Sequence, residues 1–307
     1  MKLSIATCQF PVDADIHRNL GYVLRQMRRA RDRGADVAHF PEACLSGYAG
    51  PDFASTTQLD WGLLLHATEQ VLDLAGRLGL EVILGSTHCL TPPHKPHNSL
   101  YIISDRGELL DRYDKMFCAG DGRPDPQTGD LGNYSPGDHF SVFSLKGVRC
   151  GALICHDYRY PELYREYKRR GVQVMFHSYH AGHISSERMR AMQEYVGAKH
   201  HALSGGTTLP GITMPATMQA AVAANHLWIS CPNSSARESC WPSFFVRPDG
   251  VITGRLRLHT AGVLLSTVDT EEPLYDSTVA WRDRAMQGVF HSGTLVHDER
   301  SENRTRL

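Results

Sequence analysis

No apolar run in this chain approaches the ~18 residues a helix needs to cross a bilayer, which excludes a helical membrane span. A surplus of either charge is also missing, since 32 Lys and Arg stand against 33 Asp and Glu. Without a net positive field, binding to nucleic acid or to anionic lipid has no general electrostatic basis. Residues 1–8 carry one lysine and an apolar stretch broken by Ser4 and Thr7, too little for a secretory signal. The eight cysteines, at 8, 44, 89, 118, 150, 155, 231 and 240, form no Cys-x-x-Cys pair. Neither a zinc ribbon nor a thioredoxin-type motif is therefore encoded. A chain of 307 residues buries its own core and needs no disulfide framework. The expectation is a cytoplasmic protein with reduced thiols, one of them free for chemistry.

What is present is ordinary for a folded protein: 41% apolar and 21% charged residues exclude long-range disorder. Alternation predicts a strand over residues 3–10. Ile16, Leu20, Val23, Leu24, Met27 and Ala30 then recur at helical spacing over 16–33, with arginines on the other face and Gly34 placed for a left-handed cap. Strands are predicted at 35–40, 81–89, 99–104 and 108–116, with a helix over 61–78 stopped by Gly79. A Gly/Asp/Pro loop fills 119–138. The second half repeats the order: strand 148–155, helix 161–170, strand 172–179, helices 185–204 and 215–224, then strands 227–231, 243–247 and 262–268. Strands alternating with helices indicate an α/β layered domain. Two similar halves without a Pro/Ser-rich linker indicate two sheets face to face, with helices outside, in one domain over 1–282. The tail, 283–307, is polar and placed for a subunit contact.

Three residues stand where predicted strands end, the place where ligands bind in such sheets. Cys155 closes an apolar run ahead of a Pro-led helix, whose positive end favours a thiolate; a small buried hydrophobe is the plainer alternative. Glu42 follows Phe40-Pro41 and is either a desolvated proton carrier or a cap on a turn. Lys115, taken alone, reads as a surface lysine.

Their flanks carry more. Phe40-Pro41-Glu42-Ala43-Cys44-Leu45-Ser46-Gly47-Tyr48 comes first, then Arg112-Tyr113-Asp114-Lys115. Leu153-Ile154-Cys155-His156-Asp157-Tyr158-Arg159-Tyr160-Pro161-Glu162 follows. This ordered set resembles the nitrilase superfamily of carbon–nitrogen hydrolases over roughly residues 1–270, including the Ile5-Ala6-Thr7-Cys8-Gln9 strand and the Arg247-Pro248-Asp249-Gly250 turn. The resemblance implies a four-layer α-β-β-α sandwich and a Glu-Lys-Cys triad with no metal or organic cofactor. It makes Cys155 the nucleophile, Glu42 the general base and acid, and Lys115 the cation facing a tetrahedral oxyanion. Family members carry a second glutamate about six residues before a Pro-Gly. Here that count reaches Asp130, one methylene shorter, which either reaches the site through a water or is a solvated turn residue.

His156-Asp157 after the nucleophile, in place of Trp-Glu, is more similar to the amidase and N-carbamoyl amino acid hydrolase branches than to true nitrilases. Arg159 is either a two-pronged carboxylate ligand or a structural partner of Glu162 or Asp157. Tyr48, His156, Arg159, Tyr179 and His180 are the candidate substrate contacts. The three histidines of His177-Ser178-Tyr179-His180-Ala181-Gly182-His183 lack an acidic or cysteine ligand nearby and read as a polar pocket wall, not as a zinc site. Residues 205–218 resemble an insertion that forms a lid or a surface excursion. The expected protein is a thiol-dependent hydrolase of a small carboxamide or N-carbamoyl compound, assembled as a homodimer or higher homo-oligomer. A nitrilase and an inactive binding protein of the same fold are the alternatives.

Overall fold

A computed structural model describes residues 1–120 and 129–305. Residues 121–128 of the expected 119–138 loop and 306–307 of the tail lie outside the described residues. The first half runs β1 (Lys2–Gln9), α1 (Ile16–Asp32), β2 (Val37–His39), α2 (Trp61–Leu78), β3 (Glu81–His88), β4 (His97–Ile103) and β5 (Leu109–Asp114). The second half opens with β6 (Val142–Leu145), β7 (Val148–Ile154), α3 (Pro161–Arg169), β8 (Val174–Ser178) and α4 (Ser186–Val196). It continues through α5 (Ala198–Ser204), α6 (Leu209–Asn225), β9 (Trp228–Cys231), β10 (Phe244–Val246) and β11 (Ile252–Arg255). Last come β12 (Gly262–Asp269), α7 (Arg282–Met286) and α8 (Glu299–Glu302).

The strands form two six-stranded sheets, ordered β12-β1-β2-β3-β4-β5 and β6-β7-β8-β9-β10-β11. The orders correspond strand for strand. In each sheet three parallel strands are followed by two antiparallel ones and preceded by an antiparallel edge strand. The two-sheet expectation holds, with one change: β12, grouped by sequence with the second half, pairs with β1 in the first sheet. The edge beside β1 would otherwise present unpaired N–H and C=O groups, and the chain returns to cover it.

Alternation along β1 sorts the layers. Ala6 and Cys8 face α1 and α2, where they meet Val23, Met27, Leu64, Val71 and Leu74. Leu3 and Ile5 belong instead to the core shared by the two sheets, α3 and α6, which includes Ile83, Phe176, Tyr164, Met214 and Met218. Asp15 caps α1 by accepting from His17 and Arg18 N–H, and Gly79 ends α2 at φ 57°, as the sequence pattern predicts. The eight cysteines are all free thiols. No helix among the described residues is long and apolar enough to cross a membrane.

Three expectations fail. The strands β6 and β11 are missed, because at four residues each they are too short for alternation to declare itself. The predicted helix 185–204 breaks into α4 and α5 at Gly197, whose φ of 78° is left-handed. The supposed lid at 205–218 is no loop: Thr208 caps α6 by accepting from Gly211 N–H, and the helix runs through Pro210 and Pro215. Burial of Met214 and Met218 outweighs the weak helix propensity of the Gly/Pro-containing first turns.

A buried polar clamp ties the sheets together beside the site. Ser178 Oγ donates to the Phe40 carbonyl at 2.7 Å, so it accepts from His39 Nε2 at 2.9 Å. His39 Nδ1 then accepts from Ser230 Oγ at 2.9 Å, and Ser230 accepts from Thr7 Oγ1 at 2.7 Å. Burial holds the His39 imidazole well below its usual range, which keeps it in this neutral tautomer. His39→Ala leaves two buried hydroxyls short of a partner, at about 1–3 kcal/mol each. Urea denaturation is expected to show a midpoint lowered by at least about 2 kcal/mol at unchanged slope, with Thr7→Val costing less.

Candidate active site

The segments that follow β2, β5, β7 and β8 converge. Pro41 ends the β2 ladder because it has no N–H to donate, and the chain turns so that Glu42 N–H donates to the Tyr179 carbonyl beyond β8 at 3.2 Å. This turn passes directly over β3. A Cβ on Gly85 would stand 2.1 Å from Pro41 O and 2.7 Å from Ala43 N, so only glycine fits there. Lys115 is carried in by the β4–β5 hairpin, where its N–H donates to the Asn98 carbonyl at 2.9 Å.

Lys115, the supposed surface lysine, is 1% exposed. Its Nζ donates to Glu42 Oε1 at 2.8 Å, to Asp130 Oδ2 at 2.8 Å and to Tyr48 OH at 3.1 Å. Burial opposes the ammonium charge, but Asp130 and Glu42 outweigh it and hold the amine well above its usual range. Asp130 reaches Lys115 directly, without a bridging water, and is neither solvated nor a bystander. It also accepts from Tyr48 OH at 2.5 Å and from Ala119 N–H at 2.7 Å. Burial pushes its carboxyl up, but Lys115 and these donors overcome that and keep it below the usual carboxylate range. Glu42 is fully buried; Oε1 also accepts from Asn98 Nδ2 at 2.8 Å, while Oε2 has no partner.

Cys155 begins a short 3-10 turn (Cys155–Arg159) that separates it from α3, so the thiol does not sit on that helix's positive end. The expected thiolate is therefore not favoured at rest. Burial first, and the Glu42 charge second, push the Cys155 thiol well above its usual range; Lys115 pulls it down by less. The residue is left-handed at φ 42°, a conformation that costs a side chain with a Cβ about 1–2 kcal/mol. Its carbonyl accepts from His177 Nε2 at 3.2 Å, which leaves Nδ1 to accept from Tyr164 OH at 2.8 Å. Burial pushes the His177 imidazole down to about 3, which keeps it neutral for that role.

The other expected contacts divide. Tyr48 belongs to the Lys115 network. His156 flanks the nucleophile, edge-on to Tyr160, with burial and then Lys115 pushing its imidazole down to about 4. Tyr179 is fully buried, stacked on His177 at 4.4 Å, with its hydroxyl on Met218 Sδ at 2.9 Å. His180 pairs with Asp52 at 3.1 Å. Burial pushes its imidazole down, but that carboxylate outweighs burial and holds it above the usual range. His183 turns to the Val12 carbonyl, so the three histidines diverge onto separate partners. Arg159 pairs with neither Asp157 nor Glu162 among the described residues. It is exposed over the Tyr158 ring, in a cleft of about 530 Å³ between α3 and α6 whose lining contains none of Glu42, Lys115, Asp130 or Cys155. Asn98, Asp52, His177 and Asp157 were not singled out in sequence. Asp157 alone carried a signal, its place in the segment around Cys155, while a strand asparagine opposite a lysine declares itself only through strand register.

The sequence profile of the carbon-nitrogen hydrolase family matches residues 4–272. An omega-amidase, NIT2 of Bos taurus, is 29% identical over 179 residues, 56% of this chain and 61% of that protein. The 2-oxoglutaramate amidase of Bacillus subtilis (strain 168) is 29% identical over 143 residues, 46% of this chain and 51% of that one. The chain thus spans about three fifths and about half of the length of these two curated relatives. Among solved structures, an amidase from Nesterenkonia sp. superposes with a TM-score of 0.67 at 20% identity, over 87% of this chain and 90% of that one. The two share the fold.

Because Glu42 raises the Cys155 thiol and Lys115 lowers it, Glu42→Gln is expected to move the thiol pKa down and Lys115→Met to move it up. The pH dependence of iodoacetamide labelling at Cys155, followed by peptide mass spectrometry, measures both shifts. Shifts of the same sign in the two variants are incompatible with this charge arrangement.

Proposed function

The chain belongs to the carbon–nitrogen hydrolase family, and on that premise we propose that it hydrolyses the C–N bond of a small carboxamide or N-carbamoyl compound through a Cys155 thioester. The observation that supports this reading is one ammonium, Lys115, bonded to two carboxylates at 2.8 Å, all three acting electrically on one buried thiol. A thiol held protonated at rest needs a base, and Glu42 Oε2 is the oxygen left unpaired for that task.

In the proposed cycle Glu42 takes the Cys155 proton and sulfur attacks the acyl carbon, so the C=O π pair moves onto oxygen. Lys115 and the His156 backbone N–H face that oxyanion. All three N–H bonds of Lys115 are committed, so it acts through its charge unless the 3.1 Å bond to Tyr48 is released. Glu42 then returns its proton to the departing nitrogen, and ammonia or an amine leaves. Water adds to the thioester with Glu42 again as base, and the acid leaves as sulfur regains its proton. Asp130, with Tyr48, fixes Lys115 and offsets its charge.

The reading extends to a protein that works in the cytoplasm as a homo-oligomer, with water and the amide as its partners in the reaction. The omega-amidase and 2-oxoglutaramate amidase relatives favour amides over nitriles. Ammonia release from a panel of amides, ureido acids and nitriles tests it; turnover of nitriles alone would overturn it. Cys155→Ala is expected to abolish turnover with the fold intact, and Glu42→Gln and Lys115→Met to cost ~10²–10⁴-fold each in kcat/KM. Asp130→Asn is expected to cost less, since Glu42 still holds Lys115.

A further inference from the structure

Asp157 lies two residues beyond Cys155, fully buried, and its carboxylate is spent on three donors from both sheets. Oδ2 accepts from Tyr113 OH at 2.8 Å, on β5 of the first sheet, and from Ile154 N–H at 3.0 Å, on β7 of the second. Oδ1 accepts from Phe117 N–H at 2.8 Å, in the segment just past Lys115. That segment continues to Ala119, whose N–H holds Asp130.

We propose that Asp157 is a positioning residue, a strut that sets the spacing of Cys155 against Lys115 and Asp130 and holds Cys155 in its left-handed conformation. The physical reason is the placement of its bonds. The Ile154 bond closes a tight loop around Cys155, backed by His177 on the Cys155 carbonyl. The Phe117 and Tyr113 bonds carry the same carboxylate to the element that bears Lys115. A strained φ persists only where surrounding bonds over-determine it, and here two fall on the flanking peptide groups. An amide in place of the carboxylate cannot serve: its NH₂ end would face a backbone N–H, donor against donor. Loosening the turn would let Cys155 leave its buried setting. Since burial is the first cause of its raised thiol pKa, its labelling would then become faster.

The test uses the full chain and peptide-resolved labelling with iodoacetamide at pH 8. Asp157→Asn is expected to speed labelling of Cys155 by about fivefold or more, with buried Cys8, Cys44 and Cys231 at wild-type rates. Cys155 labelled at the wild-type rate would overturn the proposal. If Asp157→Asn opens every buried thiol together, Tyr113→Phe decides, because it removes one bond and no charge. A rise confined to Cys155 supports the strut, and an unchanged Cys155 refutes it.

This labelling needs no substrate and is independent of the amidase reading. A second arm rests on that reading: with any amide the wild type hydrolyses, Asp157→Asn should lower kcat ~100-fold with KM within about twofold, the mark of misplacement and not of lost binding. A wild type inert towards every amide would sink the amidase reading and leave the labelling result standing.

Discussion

The candidate site depends on one buried ammonium held between two carboxylates. Removing a charge from water costs several kcal/mol, and an ion pair repays this only with good geometry and full hydrogen bonding. Lys115 meets both conditions, with three acceptors for three N–H bonds. The arrangement leaves one net negative charge beside a thiol, which explains why Cys155 rests protonated and not as an exposed, oxidation-prone thiolate. The same imbalance gives Glu42 something to do. A base that keeps the thiol protonated at rest is also the group that accepts its proton when an acyl carbon arrives.

Holding four side chains from distant segments in that relation requires rigidity that loops alone lack. Here it comes from buried polar contacts between the sheets. His39, Ser178, Ser230 and Thr7 fix the end of β2, and His177 fixes the Cys155 carbonyl. Asp157 reaches to both sides. Gly85 contributes by absence, since its missing side chain lets the Glu42 turn cross β3 in contact. Each satisfies its polar groups internally, as burial demands. The strain at Cys155 is maintained by this shell.

Much of the fold was legible in the sequence because its signals are local. The helix caps at Asp15 and Gly79, the alternation in β1 and the Pro-led start of α3 each depend on residues within a few positions. Where the reading failed, the deciding force was remote. Gly205 to Gly211 looks like a flexible loop by composition, yet the second part of it is helix because Met214 and Met218 find a core to enter. The same holds for β12, whose partner is chosen by an open edge more than 250 positions away in sequence.

The sequence by itself determined the family, the layered architecture and the residue types in three motifs, since hydrophobic period and turn chemistry act over short spans. Only the tertiary structure decided what surrounds those residues. It made Lys115 buried instead of exposed, brought Asp130 to it directly, took Arg159 away from its expected partners and turned Cys155 from an expected thiolate into a guarded thiol. Charge states and contacts of this kind are properties of burial and distance, and distance across two sheets is not written in any local stretch of chain.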